Sequence, residues 1–163
     1  MLKGKGVKTI NIVLYQPEIP FNTGNIARTC VITNSTLHLI KPLGFSINEK
    51  AIKRAGLDYW EHLDLKIYDD FNDFMNKNNK PELFLMTTHG TQNYSEIQYT
   101  KDAFIIFGRE SAGLPNVIHE LFPKNRFRIP MANSPQARSL NLSNSVSIVL
   151  FEALRQNGFE NLV

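Results

Sequence analysis

Residues 103–115 read AFIIFGRESAGLP: five apolar residues in a row, a turn holding Gly108 and Gly113, then Leu114-Pro115. A continuous apolar run of that length, closed by turn residues, is the pattern of a strand covered on both faces. Residues 83–87 (LFLMT) repeat it, and residues 9–15 (TINIVLY), rich in β-branched side chains, stop at Pro17 and Pro20. Shorter strands fit residues 37–40 and 65–68. Between these runs the spacing predicts helices over 26–33, with Asn22 or Thr23 as cap, and over 48–55, stopped by Gly56. Further helices fit 69–78, with two acids in the first turn, 114–122, with Pro115 in its first turn, and 141–157, ended by Gly158. Strands alternating with helices define an α/β domain with a mostly parallel sheet.

The length of 163 residues suits one domain, residues 1–163, with its own core. Hydrophobic residues at 42% and charged residues at 20% exclude a disordered or low-complexity chain. No apolar stretch approaches the ~20 residues that cross a bilayer. Lys3, Lys5 and Lys8 precede too short an apolar run for a secretory signal. Cys30 is the one cysteine, which excludes an internal disulfide and a cysteine metal cage. The expectation is a soluble, cytoplasmic protein in reducing surroundings. A net charge of +3 permits an anionic partner without requiring one.

Ligands of such sheets collect at the carboxyl ends of strands, and three segments there carry candidate chemistry. The first is residues 22–28 (NTGNIAR). It is either a helix cap followed by a surface Arg28, or a loop whose Gly24 lets backbone approach a ligand while Arg28 aims a cation at it. The second is residues 108–115. Its glycines have the spacing that begins a phosphate loop, but Leu114 and Pro115 stand where that loop needs Lys and Ser or Thr. A dinucleotide fingerprint fails as well, since Gly-x-Gly is absent. The third, residues 129–145, is dense in Ser and Asn before a helix, as an elaborate cap or a polar ligand site. His38, His62, His89 and His119 lack metal-ligand spacing. Ser111 and Ser139 have no evident His–Asp partners for acyl transfer. Lys50, Lys53 and Arg54 share one helix face by spacing, either solvated or laid along a phosphate backbone.

The strings NIVLYQPEIPFNTGNIARTC (11–30), RAGLDYW (54–60), FGRESAGLP (107–115), IPM (129–131) and RSLNLSNSVSIVLFEALRQ (138–156) resemble the motifs of the SPOUT superfamily of RNA methyltransferases. More closely, they are similar to small tRNA 2′-O-ribose methyltransferases acting on the wobble nucleotide, position 34. The resemblance covers nearly the whole chain after about residue 8.

It implies a homodimer in which the C-terminal segment threads a deep trefoil knot and binds S-adenosylmethionine. Carried onto this sequence, it places the cofactor against the backbone of Met86, Gly108 and Ile129, with Ser139 and Leu140 completing the pocket. It makes Arg28 the functional arginine, reaching the partner subunit's pocket. Because a guanidinium keeps its proton in proteins, Arg28 is expected to clamp the target phosphate or the developing alkoxide electrostatically. Asn25, Glu110 and Asn144 match positions that order the site. Asn25 and Asn144, with Lys50, Lys53 and Arg54, are the expected contacts to tRNA. No metal and no membrane are implied. Two other readings keep part of this picture: the same chemistry on ribosomal RNA or another tRNA position, and a dimeric RNA-binding factor without turnover.

The last predicted helix bears on the dimer. Leu142, Val146, Ile148, Val149, Leu150, Phe151, Ala153 and Leu154 wrap most of its circumference. Either it is a well-buried core helix, or a second copy covers it and Val149 and Leu150 lie at the interface.

Overall fold

The structure is a computed structural model and describes residues 9–47 and 58–163. Among these residues seven strands form one sheet: β1 (Asn11–Tyr15), β2 (Thr36–Ile40), β3 (Asp64–Tyr68), β4 (Leu83–Met86), β5 (Gln92–Asn93), β6 (Phe104–Phe107) and β7 (Arg126–Arg128). Their order is β3-β2-β1-β6-β4-β7-β5, and every pairing is parallel. Four helices accompany them among the described residues: α1 (Pro20–Ile32), α2 (Phe71–Lys77), α3 (Asn116–Leu121) and α4 (Leu142–Gln156). The expected strands and the parallel α/β sheet are present. The expected helix over 48–55 lies outside the described residues.

The continuous apolar runs follow from burial on both faces. Alternate strand residues enter two separate cores. Ile12, Leu14, Ile105 and Phe107 meet Ile26, Ala27 and Cys30 of α1 and Val146, Val149 and Leu150 of α4. Val13 and Ile106 face the other way, onto Phe74 of α2 and Ile118 of α3. Helix α4 is therefore buried along one face rather than all round. Val149 and Leu150 are fully buried within this one chain, so they are core and not interface, whereas Ile148 and Phe151 point outward at 38% and 43% exposure.

One buried polar chain ties the edge of the sheet together. The Asn11 side-chain amide donates to the carbonyls of Thr9 (3.0 Å) and Asp102 (3.1 Å), which turns its oxygen toward His38 Nε2 at 2.9 Å. Nε2 must then carry the proton, so Nδ1 accepts from the Tyr68 hydroxyl at 2.8 Å. The ring is fully buried and neutral. Burial, helped by the charge of Lys66 and opposed by Asp64, pushes its pKa from 6.5 down to about 3. Because the unfolded chain takes up this proton first, the group lowers stability as pH falls from 6.5 toward about 3, by about 1.4 kcal/mol per pH unit. Urea midpoints measured across that window should show the slope, and His38→Gln should flatten it.

Candidate active site

The turn after β6 is shaped by the absence of a side chain. A Cβ at Gly108 would stand 2.1 Å from the Gly113 carbonyl carbon and 2.3 Å from the Leu114 nitrogen. Arg109 and Gly113 exchange two backbone hydrogen bonds, 3.1 and 2.8 Å, and Gly113 turns the chain at φ +66°. The resulting tight turn forms one wall of a cleft of about 620 Å³ at the carboxyl ends of β4, β6 and β7. Met86, Gly108 and Ile129 line it from those ends, and Ser139 and Leu140 line it from the segment before α4. The five residues expected to hold a cofactor thus meet in one place.

The three motif segments are stitched together by side chains. Helix α1 starts at Pro20, and its cap residue Ile19 has no side chain able to hold the free N–H groups. Glu110 instead braces the entry to the helix from the β6 turn: its carboxylate accepts from Glu18 N (2.8 Å), from Ile19 N (3.1 Å) at the cap position and from Asn22 Nδ2 (3.2 Å). Glu18 answers by accepting from Ser111 N (2.9 Å) and Ser111 Oγ (2.8 Å), bonds that hold its carboxyl below the usual range. Asn22 Oδ1 then accepts from Asn141 Nδ2 at 3.0 Å, while Asn141 Oδ1 caps α4 at Ser143 N and Asn144 N. Asn22 and Thr23 are therefore inside α1 and not its cap, and Gly24 is mid-helix with open space where a Cβ would go. Pro20, which suits a first helical position, was the available signal for the earlier start. Nothing local marks Glu18, Asn22 or Asn141 as partners across the chain.

Arg28 lies on the exposed face of α1, with Asn25 one turn earlier; Asn144 is exposed at the start of α4. None of the three lines the cleft of its own chain. The Arg28 guanidinium sits over the ring of Tyr59, 5.6 Å from its centroid. Lys50, Lys53 and Arg54 lie outside the described residues. In the lining of the cleft, His89 and His119 meet edge to face with centroids 6.3 Å apart. Burial first, then Arg126 and His89, keeps the His119 pKa below its ordinary value.

A glycine-shaped cleft at the strand ends of a parallel α/β sheet is the site of a small-molecule-binding α/β protein. The SpoU rRNA methylase family matches residues 9–151, and this chain belongs to it. It is 45% identical over 155 residues to the tRNA (cytidine(34)-2′-O)-methyltransferase of Escherichia coli K12, covering 94% of this chain and 98% of that one. It is 46% identical over 154 residues to the enzyme of the same name from Methylovorus glucosotrophus, covering 94% and 99%. A solved structure described as giving insight into the 2-OH methylation of C/U34 on tRNA superposes with TM-score 0.85 at 40% identity, covering 94% and 99%. An AdoMet-bound rRNA methyltransferase from Sinorhizobium meliloti superposes with TM-score 0.77 at 25% identity, covering 90% of this chain and 56% of that one.

Proposed function

We propose that this chain is a cytoplasmic homodimer that methylates the ribose 2′-hydroxyl of the wobble nucleotide, position 34, of tRNA, using S-adenosylmethionine and leaving S-adenosylhomocysteine. The observation that carries this reading is the meeting of Met86, Gly108, Ile129, Ser139 and Leu140 in one cleft. The chain that builds it is 45% identical to a wobble-position methyltransferase over nearly its whole length. The cleft fits the cofactor. Its 620 Å³ lies within the ~300–1,000 Å³ of small-molecule sites. Backbone groups at three strand ends offer donors and acceptors to an adenine edge, and the bare Gly108 admits a ligand against the main chain. When bound, the cofactor supplies an activated methyl group on a sulfonium.

The chain's own residues do the rest. The clasp of Glu110, Asn22 and Asn141 fixes the cleft wall against α1 and α4, aligning what binds there with whatever α1 presents. Arg28 is the catalytic residue: its charge holds the target phosphate or the alkoxide that develops as the 2′-hydroxyl loses its proton to phosphate or water. Asn25 and Asn144, with Lys50, Lys53 and Arg54, contact the RNA. The C-terminal segment bearing Ser139 and Leu140 threads the deep trefoil knot that the resemblance implies.

A second copy completes the site. Arg28 does not reach its own cleft, yet α1 and α4 pack side by side and both present exposed apolar groups. On α1 these are Phe21 and Ile32, in line with Asn25 and Arg28; on α4 they are Ile148 and Phe151, in line with Asn144. Phe151→Glu should give a folded monomer without methyl transfer, read by sedimentation and circular dichroism, because a charge in a dry interface costs several kcal/mol. An intact dimer would place the interface elsewhere.

The decisive experiment is transfer of labelled methyl from S-adenosylmethionine to tRNA from cells lacking wobble ribose methylation, with mapping of the labelled nucleotide. Label at position 34 is the expected result. Label on ribosomal RNA or at another tRNA position would change the substrate, and cofactor binding without label in any RNA would favour the non-catalytic factor.

A further inference from the structure

Arg28 is held in an unusual way for a surface arginine. Among the described residues no carboxylate pairs with it; its guanidinium lies over the Tyr59 ring instead. Tyr59 belongs to a short 3₁₀ turn, Asp58–His62, and packs against the core cluster under α1. Its hydroxyl donates to the Gly24 carbonyl at 2.9 Å. In an α-helix that carbonyl is the ladder partner of the Arg28 N–H, four residues on. The ring is thus pinned to the same turn of helix from which the arginine side chain leaves. Burial raises the Tyr59 pKa, which keeps the hydroxyl a donor.

An arginine side chain free in solvent carries about 2 kcal/mol of rotamer entropy that must be lost when it engages a target. A carboxylate partner would fix it but would also neutralise the charge and occupy the N–H fork. An aromatic face fixes it through the ring quadrupole, leaving both charge and donors available at the guanidinium edge. We propose that Tyr59 is a positioning residue for Arg28, holding the guanidinium ready for an anionic oxygen of the RNA in the partner subunit's site. The proposal rests on Arg28 acting on the acceptor, and its test separates the two.

The measurement is single-turnover methyl transfer by the full-length protein with Tyr59 replaced in turn by Phe and by Phe carrying one, two and three ring fluorines. Fluorination drains the ring face of negative potential while leaving its shape nearly unchanged. The rate should fall stepwise, by about fivefold across the series. Cofactor affinity, KM for tRNA and the melting temperature should stay level. In an Arg28→Ala background the series should be flat, since the ring then has no cation to hold. A flat series with Arg28 intact, while Arg28→Ala alone is inactive, would overturn the role of Tyr59 and spare that of Arg28. Full activity of Arg28→Ala would remove the premise for both. Tyr59→Leu, which removes ring and hydroxyl together, should fall below the fluorinated series in rate with KM unchanged; loss through KM instead would also overturn the proposal.

Discussion

Arg28→Ala should reduce methyl transfer by about 10²–10³-fold while leaving S-adenosylmethionine affinity within a few-fold. A preorganised charge aimed at a developing oxyanion contributes on that scale in other enzymes. Arg28 lies outside the cleft of its own chain, on the solvent face of α1, so truncating it removes none of the residues that line that cleft. Its absence is felt only when an acceptor is present. Arginine side chains carry a fixed charge in proteins and add no ionisation to a rate profile, so the pH dependence of the residual rate should match that of the parent protein. Arg28→Lys should recover part of the rate, since it restores a point charge without the planar fork. Isothermal titration with the cofactor, set beside single-turnover transfer, checks both halves. If cofactor affinity falls in step with the rate, Arg28 acts through the pocket and the reading of it as an acceptor clamp is wrong.

The parts of this arrangement legible in the sequence are those set by local pattern. The apolar runs at 9–15, 83–87 and 103–107 announce strands buried on both faces, because each alternate residue must fill a core on one side or the other. Val13 and Ile12 do this on opposite faces. Strands β5 and β7 carry too little apolar sequence to be noticed: Arg126-Phe127-Arg128 has one buried residue between two arginines. The start of α1 was not legible because the chain entering it is held by Glu110, 91 residues away from Ile19, and no sequence window spans that distance. Counting apolar residues on α4 could not tell which of them the chain itself covers, since Ile148 and Phe151 look the same in sequence as Val149 and Leu150. Motif matching gathered the cleft residues without any knowledge of distance. Tyr59 lay inside a quoted motif, yet only the geometry connects it with Arg28.

Gly108→Ala should abolish cofactor binding and lower stability, whereas Gly24→Ala should do neither. Both glycines sit in motif segments, and only their surroundings separate them. At position 108 the added carbon would stand 2.1 Å from one backbone atom and 2.3 Å from another, neither the end of a flexible side chain. The turn has no slack with which to answer. Arg109 and Gly113 are bonded in both directions, and the neighbouring Leu114, 6% exposed, is anchored in the core beside Ile118. Overpacking of this kind costs about 1–3 kcal/mol, or roughly 3–10 °C of melting temperature for a chain of this size. The displaced turn must move either into the cleft or away from α1, drawing Glu110 off Glu18 and Ile19, and each removes part of the cofactor's wall. At position 24 the added methyl enters open space in mid-helix, where alanine is favoured over glycine by about 0.5–1 kcal/mol. Gly24→Ala should therefore melt a few degrees higher with cofactor affinity intact. If it also lost methyl transfer while still binding cofactor, the open space beside Gly24 would be occupied in the working complex by the RNA or by the second subunit.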